Sequence, residues 1–484
     1  MLFTLLLAFL PSRNGSDPVA VERALASVQS GSICADVRFI ASDELEGRDT
    51  PSQGLRLAAR YLRARLERLG FQPAGDDGFF DRYPLERSGL DLSSCKAWLV
   101  QGGKERELAF GQDYAFFGGG EHELEGPLVF VGAGREEDVA GLELGGKWAL
   151  VLDSSGGRDR QAWEERFRRI ERVRAKGALG LVSAPDPSLP DEDRAERDRR
   201  LARSLEFASR PSLHAPGSEE EMGPQGVSLS LKSTLVKELL GASTPPALGT
   251  ELRGLRLKER RKQRTPERLE LENVAGLWPG SDPVLGRQVL ILSAHYDHEG
   301  VQGGEIYNGA DDNGSGTCAL LAVAEALASY GPMRRSVLIL WVSGEEKGLL
   351  GSEAWTKAPT LPAGLRPVCD VNIDMVGRNA ADKLLITPTQ ALKEYNGLTR
   401  LAESLAPLEG FPKLGSCDDY WERSDHMNFA QNLGIPVAFL FSDVHEDYHK
   451  PTDDPDKIDC DKIRRVARLV VRMLDGLQAD TLAL

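Results

Sequence analysis

The chain has 484 residues, enough for more than one domain. Its 41% hydrophobic and 27% charged residues describe a globular protein, neither membrane-embedded nor disordered. With 59 basic and 74 acidic residues the net charge is −15, which argues against a nucleic-acid partner and otherwise gives solubility.

In chain order, Met1–Leu10 is apolar and Pro11–Pro18 polar. The apolar run is too short to span a bilayer, so no stable membrane insertion is expected. It reads as the core of a signal segment over 1–18, without the usual preceding Lys or Arg. The expected location is therefore exported, periplasmic or extracellular. From Val19 to Leu69 the pattern is helical. Leu57, Tyr61, Leu62, Leu66 and Leu69 recur at helical spacing, and Gly70 stops the helix.

Between 93 and 265 the character changes. Pro127–Ala133 and Lys147–Leu152 read as strands, a charged helix covers Gln161–Lys176, and Gly180–Ser183 follows. Pro190–Arg203 is dense in charge and reads as a solvated helix or insertion. Ser243–Gly249 reads as loop. Leu255–Arg268, rich in Lys and Arg, is expected to lead back into the flanking domain. Thereafter strands and helices alternate: Glu270–Trp278, Val289–Asp297, the helical segment Thr317–Ser329, Val337–Val342, Val371–Met375, a helix over Gln390–Leu405, and Pro436–Phe441. This alternation predicts an α/β fold, a mixed and mostly parallel sheet flanked by helices. No CxxC pair occurs among Cys34, Cys95, Cys318, Cys369, Cys417 and Cys460, so they are no metal framework. Cys318 and Cys369 read as buried thiols, and any disulfide pairing stays open.

Chemistry-bearing residues gather where these strands end. Ser343-Gly-Glu-Glu-Lys-Gly follows Val337–Val342 and carries the adjacent carboxylates Glu345 and Glu346. Two such carboxylates repel each other and are costly to desolvate, so cations or protons must compensate them. His295-Tyr296-Asp297 ends another strand, Gly309-Ala-Asp-Asp-Asn-Gly-Ser-Gly316 precedes a helix, Asp374 ends a third strand, and Tyr448-His449 lies near the C-terminus. Ligands of open α/β sheets sit outside the carboxyl ends of the strands. Taken singly, each residue has a plain reading. His295 is a strand-end histidine, Asp311 and Asp312 are turn or helix-cap residues, Asp374 is solvated, and Glu345-Glu346 is a surface pair. Their joint occurrence in this order is what those readings do not explain.

Together these motifs, with Ile40-Ala-Ser-Asp-Glu-Leu-Glu-Gly-Arg48, resemble the M28 family of co-catalytic zinc metallopeptidases, which includes aminopeptidases and glutamate carboxypeptidases. The resemblance covers that N-terminal motif and about Asn273 to the C-terminus. It implies a zinc exopeptidase-like fold and two Zn²⁺ ions. His295 and Asp374 would hold one ion, Glu346 and His449 the other, with Asp312 bridging. It implies that Glu345 is the general base and that a cis peptide bond follows the bridge, at Asp312–Asn313. Asp297 is placed to accept the second imidazole N–H of His295, a bond that would fix its tautomer. The block 93–265 resembles a protease-associated (PA) domain, a β-rich α+β insertion between the peptidase parts 19–92 and 266–484.

Other residues carry less signal. His298 is expected to be a supporting or solvated residue, and Asp425-His426 support or substrate-side structure. His122, His214 and His445 read as ordinary, and Asp453-Asp454 as loop. The expected activity is removal of N-terminal residues from a peptide substrate. The alternative is a glutamate-carboxypeptidase-like enzyme, which would want an Arg cluster at the pocket. A non-catalytic, receptor-like relative is disfavoured because all five ligands and the base are present. Preferred residue and oligomeric state are not legible.

Overall fold

The computed structural model describes residues 18–117, 120–154, 160–209, 211–217, 227–240, 245–482 and 484. The expected signal segment lies, but for Pro18, outside the described residues. Among them no helix is long and apolar enough to cross a membrane. The chain divides into two units, one reaching Pro84 and resuming at Glu270, the other Leu85–Leu269.

The first unit is built on one sheet. Its elements in chain order are α1 (Pro18–Ser27), α2 (Ser30–Ile40), α3 (Gln53–Leu69), β1 (Phe80–Ser88), β2 (Glu267–Trp278), β3 (Gln288–His295), α4 (Gly316–Tyr330), β4 (Ser336–Val342), α5 (Leu350–Lys357), β5 (Arg366–Asp374), β6 (Leu385–Thr387), α6 (Gly397–Leu405), β7 (Gly415–Ser416), α7 (His426–Leu433), β8 (Val437–Phe441) and α8 (Cys460–Gly476). The strand order is β7-β6-β8-β5-β3-β4-β2-β1. The centre, β8-β5-β3-β4, is parallel, while β2 and β6 pair antiparallel with their inner neighbours. The sheet is thus mixed and mostly parallel, with helices on both faces.

Side-chain alternation explains the two layers. Leu290, Leu292, Ala294, Val337, Ile339 and Trp341 enter the core shared with α1–α4, α6 and α8. Their neighbours Val289, Ile291, Leu338, Leu340 and Val342 pack with Trp355 of α5 and Phe429 of α7. Period-two alternation between two apolar layers calls for a strand apolar on both faces, as β4 is from Val337 to Val342. α3 ends where expected, at Gly70, with φ 86°. α6 starts later than expected, at Gly397, because the Asn396 carboxamide accepts the N–H groups of Leu398 and Thr399 at 2.9 and 3.1 Å. A disulfide between Cys34 and Cys460 joins α2 to α8, and the other four cysteines are buried free thiols.

The second unit holds an eight-stranded sheet in the order Lys104–Leu108, Lys96–Gln101, Glu251–Arg261, His122–Phe130, Trp148–Asp153, Gly180–Pro185, Ser228–Leu231, Tyr114–Phe117. Arg160–Ala175 and Asp191–Ser209 are helices, so the charged run after Pro190 is helical. The segment that leads back to the first unit begins within this sheet. Glu251–Arg261 is an interior strand, paired on both sides. Its Leu255, Leu257, Glu259 and Arg261 are buried while Arg256, Lys258 and Arg260 face outward, so a regular alternation lies under the basic composition. Glu259 accepts from Arg261 Nε at 2.6 Å and pairs with His122, which makes that histidine a packing residue.

Candidate metal centre

Register brings the chemistry together. His295 pairs with Val342, so Ser343 and the Glu345-Glu346 pair leave the sheet beside it. Asp374, opposite Phe441, closes the adjacent strand. Between β3 and α4 the chain makes the kinked turn Ala310–Ser315, which includes a cis bond at Asp312–Asn313. Gly309 opens that turn at φ 58°, and any β-carbon there would overlap the Asp312 carbonyl and the His298 ring.

Asp312 sits at the middle of the cluster. Its Oδ1 lies 3.5 Å from His295 Nε2, which is also 3.4 Å from Asp374 Oδ1. Its Oδ2 lies 3.1 Å from His449 Nε2, which is also 3.2 Å from Glu346 Oε2. One carboxylate thus turns its two oxygens toward two separate His–carboxylate pairs. All five residues expected as ligands converge here.

The donor set suits cations. Asp374 Oδ1 is buried without a hydrogen-bond partner, a costly state that coordination or ordered solvent relieves. Imidazole nitrogen and carboxylate oxygen are the ligand types of Zn²⁺. Among the described residues, donor atoms also converge as His295–Asp312–Asp374, His298–Asp312–Glu346 and Glu299–Glu346–His449.

Charge crowding shows in the protonation equilibria. Burial pushes Asp312 up to about 6, and the Glu346 charge adds to it. Burial opposes a charged His449, but Asp312 and Glu346 outweigh it and raise the ring to about 10. Burial also works against Glu346 as an anion, yet hydrogen bonds from His298 and His449 hold it well below the usual carboxylate range. Glu345 goes the other way. Its burial raises it well above the ordinary value, the charge of His295 opposes this, and Glu346 and Asp425 add to it. Adjacent carboxylates with opposite shifts suit opposite tasks, one held as an anion and one able to take a proton.

Supporting residues fix this geometry. Thr317 Oγ1 donates to the His295 carbonyl at 2.7 Å. Asn313 Nδ2 donates to Ile373 O, and its Oδ1 accepts from Gly316 and Met375, tying the turn to β5. Ser424 Oγ donates to Asp374 Oδ2 at 3.0 Å. Arg48, fully buried, donates to the carbonyls of Ile40, Tyr296, Asn308 and Gly309, which explains its place in the N-terminal motif.

Asp297 departs from one expectation. Its Oδ1 is 3.6 Å from His295 Nδ1, longer than a hydrogen bond. Its oxygens are instead engaged by Thr50 Oγ1 at 2.8 Å and the Glu345 backbone N–H at 3.2 Å. His298 is not solvated: it is buried, with Nδ1 2.8 Å from Glu346 Oε1. Asp425 and His426 are both buried, and burial drives the first up to about 7 and the second down to about 3.

Three supporting residues carried no sequence signal. Asp453 is buried and accepts the backbone N–H groups of Asp311 and Asp312 at 2.9 and 3.1 Å. His445 Nε2 lies 3.2 Å from Asp311 Oδ2. Asp447 anchors the turn before His449 through Arg378, Lys457 and Thr452. Acidic residues near a Pro-rich turn look like ordinary loop, and only the fold reveals their partners.

A cleft opens on the cluster. Asp312, Glu345, Glu346, Asp374 and His449 line it, together with the apolar Met375, Phe439, Phe441 and Val444.

Residues 273–474 match the model of peptidase family M28. The chain is 29% identical over 199 residues to a protein of Arthroderma otae named probable leucine aminopeptidase, covering 39% of this chain and 54% of that one. It thus spans about half the length of this relative. Among solved structures, an aminopeptidase from Aneurinibacillus sp. strain AM-1 shares the fold with a TM-score of 0.57 at 19% identity, over 94% of this chain and 95% of that one. A zinc aminopeptidase from Bacillus subtilis gives 0.51 at 19% identity, over 92% and 94%. Residues 273–474, which match the model of peptidase family M28, carry the whole ligand cluster.

Proposed function

We propose that the chain is a di-zinc aminopeptidase. The observation that carries this reading is Asp312, whose two oxygens address His295–Asp374 on one side and His449–Glu346 on the other. A two-metal site needs a carboxylate able to span ions roughly 3.5–4 Å apart. Bound Zn²⁺ would activate water and polarise the scissile carbonyl. Glu345 would take the proton from the attacking water and deliver it to the leaving amine, a task its raised proton affinity favours. Asp297 would hold Glu345 in place through its backbone N–H.

The cleft supports release of apolar N-terminal residues. Met375, Phe439, Phe441 and Val444 offer an apolar wall beside the cluster. The relative from Arthroderma otae is named for leucine release. Export belongs to the same reading: the Cys34–Cys460 pairing fits an oxidising compartment. So does a PA-like inserted unit, for which strands flanking the helix Arg160–Ala175 speak.

The test is hydrolysis of unblocked and N-acetylated leucyl substrates, with zinc content measured on the same preparation. Cleavage of the unblocked substrate, lost on acetylation and on chelation, is the expected result. Faster cleavage of N-acetylated peptides ending in Glu would overturn it in favour of a carboxypeptidase.

A further inference from the structure

Arg423 stands apart in the cleft. The cleft is lined by the carboxylates and His449 of the cluster and by Met375, Tyr420, Phe439, Phe441, Val444 and Tyr448, and this one guanidinium lines it too. Arg423 is exposed, and no carboxylate among the described residues lies within ion-pair distance of it. Elsewhere in the first unit Arg60, Arg65, Arg334, Arg378 and Arg468 are each paired with a carboxylate.

Its backbone is well fixed. Arg423 N–H donates to Tyr420 O at 3.0 Å, and the Tyr420 ring lies 5.0 Å from Phe441. Upstream, the Asp418 carboxylate accepts from Thr387 Oγ1 at 2.7 Å and Thr389 N at 2.9 Å. Downstream, the next residue, Ser424, bonds Asp374 and accepts from Asn372 Nδ2 at 2.9 Å. A turn pinned at both ends keeps the cation beside the apolar wall, one residue from a hydroxyl that touches the metal cluster.

We propose that Arg423 is a specificity-determining residue, which places a cation at the side-chain subsite of the released residue, so that acidic and neutral side chains are admitted and Lys and Arg repelled. The proposal rests on the aminopeptidase reading. Two bound Zn²⁺ would match the charge of the carboxylates Asp312, Glu345, Glu346 and Asp374, so Arg423 supplies the remaining fixed charge of the cleft. A guanidinium in a half-enclosed cleft repels a like charge and offers a carboxylate a planar, two-pronged partner.

The experiment compares kcat/KM of the zinc-loaded full chain and its R423A, R423K and R423E variants on leucyl, glutamyl and lysyl p-nitroanilides. The wild type is expected to prefer the glutamyl over the lysyl substrate by at least tenfold. R423A should reduce that ratio at least tenfold, R423E should invert it, and R423K should restore its sign. Zinc content measured on each variant separates this from damage to the cluster. Leucyl hydrolysis with a glutamyl-to-lysyl ratio constant within twofold across the four proteins would overturn the proposal alone. No leucyl hydrolysis by the zinc-loaded wild type would overturn the aminopeptidase reading and this proposal with it. A parallel comparison of Leu-Gly with its C-terminal amide covers the remaining role for a cation. If R423A loses discrimination there while keeping its glutamyl-to-lysyl ratio, Arg423 reads the peptide's carboxylate, and the side-chain assignment falls.

Discussion

Asp297 Oδ1 accepts the backbone N–H of Glu345 at 3.2 Å, so a residue at the end of β3 holds the loop that follows β4. Thr50 donates to the other oxygen of the same carboxylate, at 2.8 Å. Asp297→Asn should swing this loop, because an amide offers only one acceptor oxygen for the two donors. A 10–100-fold loss of metal affinity or activity is expected, the usual size for residues supporting a metal ligand. Zinc titration against a competing chelator measures it.

Glu345→Gln should keep its zinc and lower kcat by roughly 10²–10⁴-fold, since only proton transfer is removed. Glu346→Ala should lose metal as well, because Glu346 Oε2 faces His449 Nε2 at 3.2 Å. Metal analysis and kcat on the same samples distinguish the two. Full activity of zinc-bound Glu345→Gln would reassign the base.

Metal uptake should release protons. Without metal the His449 ring is raised to about 10 and Asp312 to about 6, so at pH 7 the imidazole carries a proton that zinc must displace. Apparent zinc affinity should therefore rise with pH across the neutral range. Calorimetric titration in buffers of different ionisation enthalpy gives the number of protons. Zero released at pH 7 would show that His449 is not a ligand.

Arg48→Met should destabilise the first unit by at least about 1–3 kcal/mol, the cost of leaving a buried acceptor without its donor. It strands the carbonyls of Ile40, Tyr296, Asn308 and Gly309, three of them flanking the ligand loops. Urea unfolding should show a lower midpoint with unchanged slope. Lys in place of Arg should recover little of the loss, since one ammonium cannot reach four carbonyls.

The sequence determined by itself what local pattern can encode. β3 and β4 were visible as apolar runs because a strand buried on both faces is apolar at nearly every position. His295, Asp312, Glu346 and Asp374 were visible because ligands cluster at the ends of such strands, and the glycine-rich turn around Asp312 has its own signature. Only the tertiary structure decided the supporting layer. Asp453 lies about 140 positions from the N–H groups it accepts, and His445 about as far from Asp311. Hydrogen bonds across such separations leave no periodicity in the chain, so these residues read as loop. Glu251–Arg261 was hidden for a different reason. Its outward Arg and Lys dominate the composition, and the buried alternation of Leu255, Leu257 and Glu259 gains meaning only when strands from distant parts of the chain pair on both sides. The choice of Asp297 between His295 and Glu345 also waited for the fold, because it depends on which donors reach the carboxylate once both strand ends are side by side.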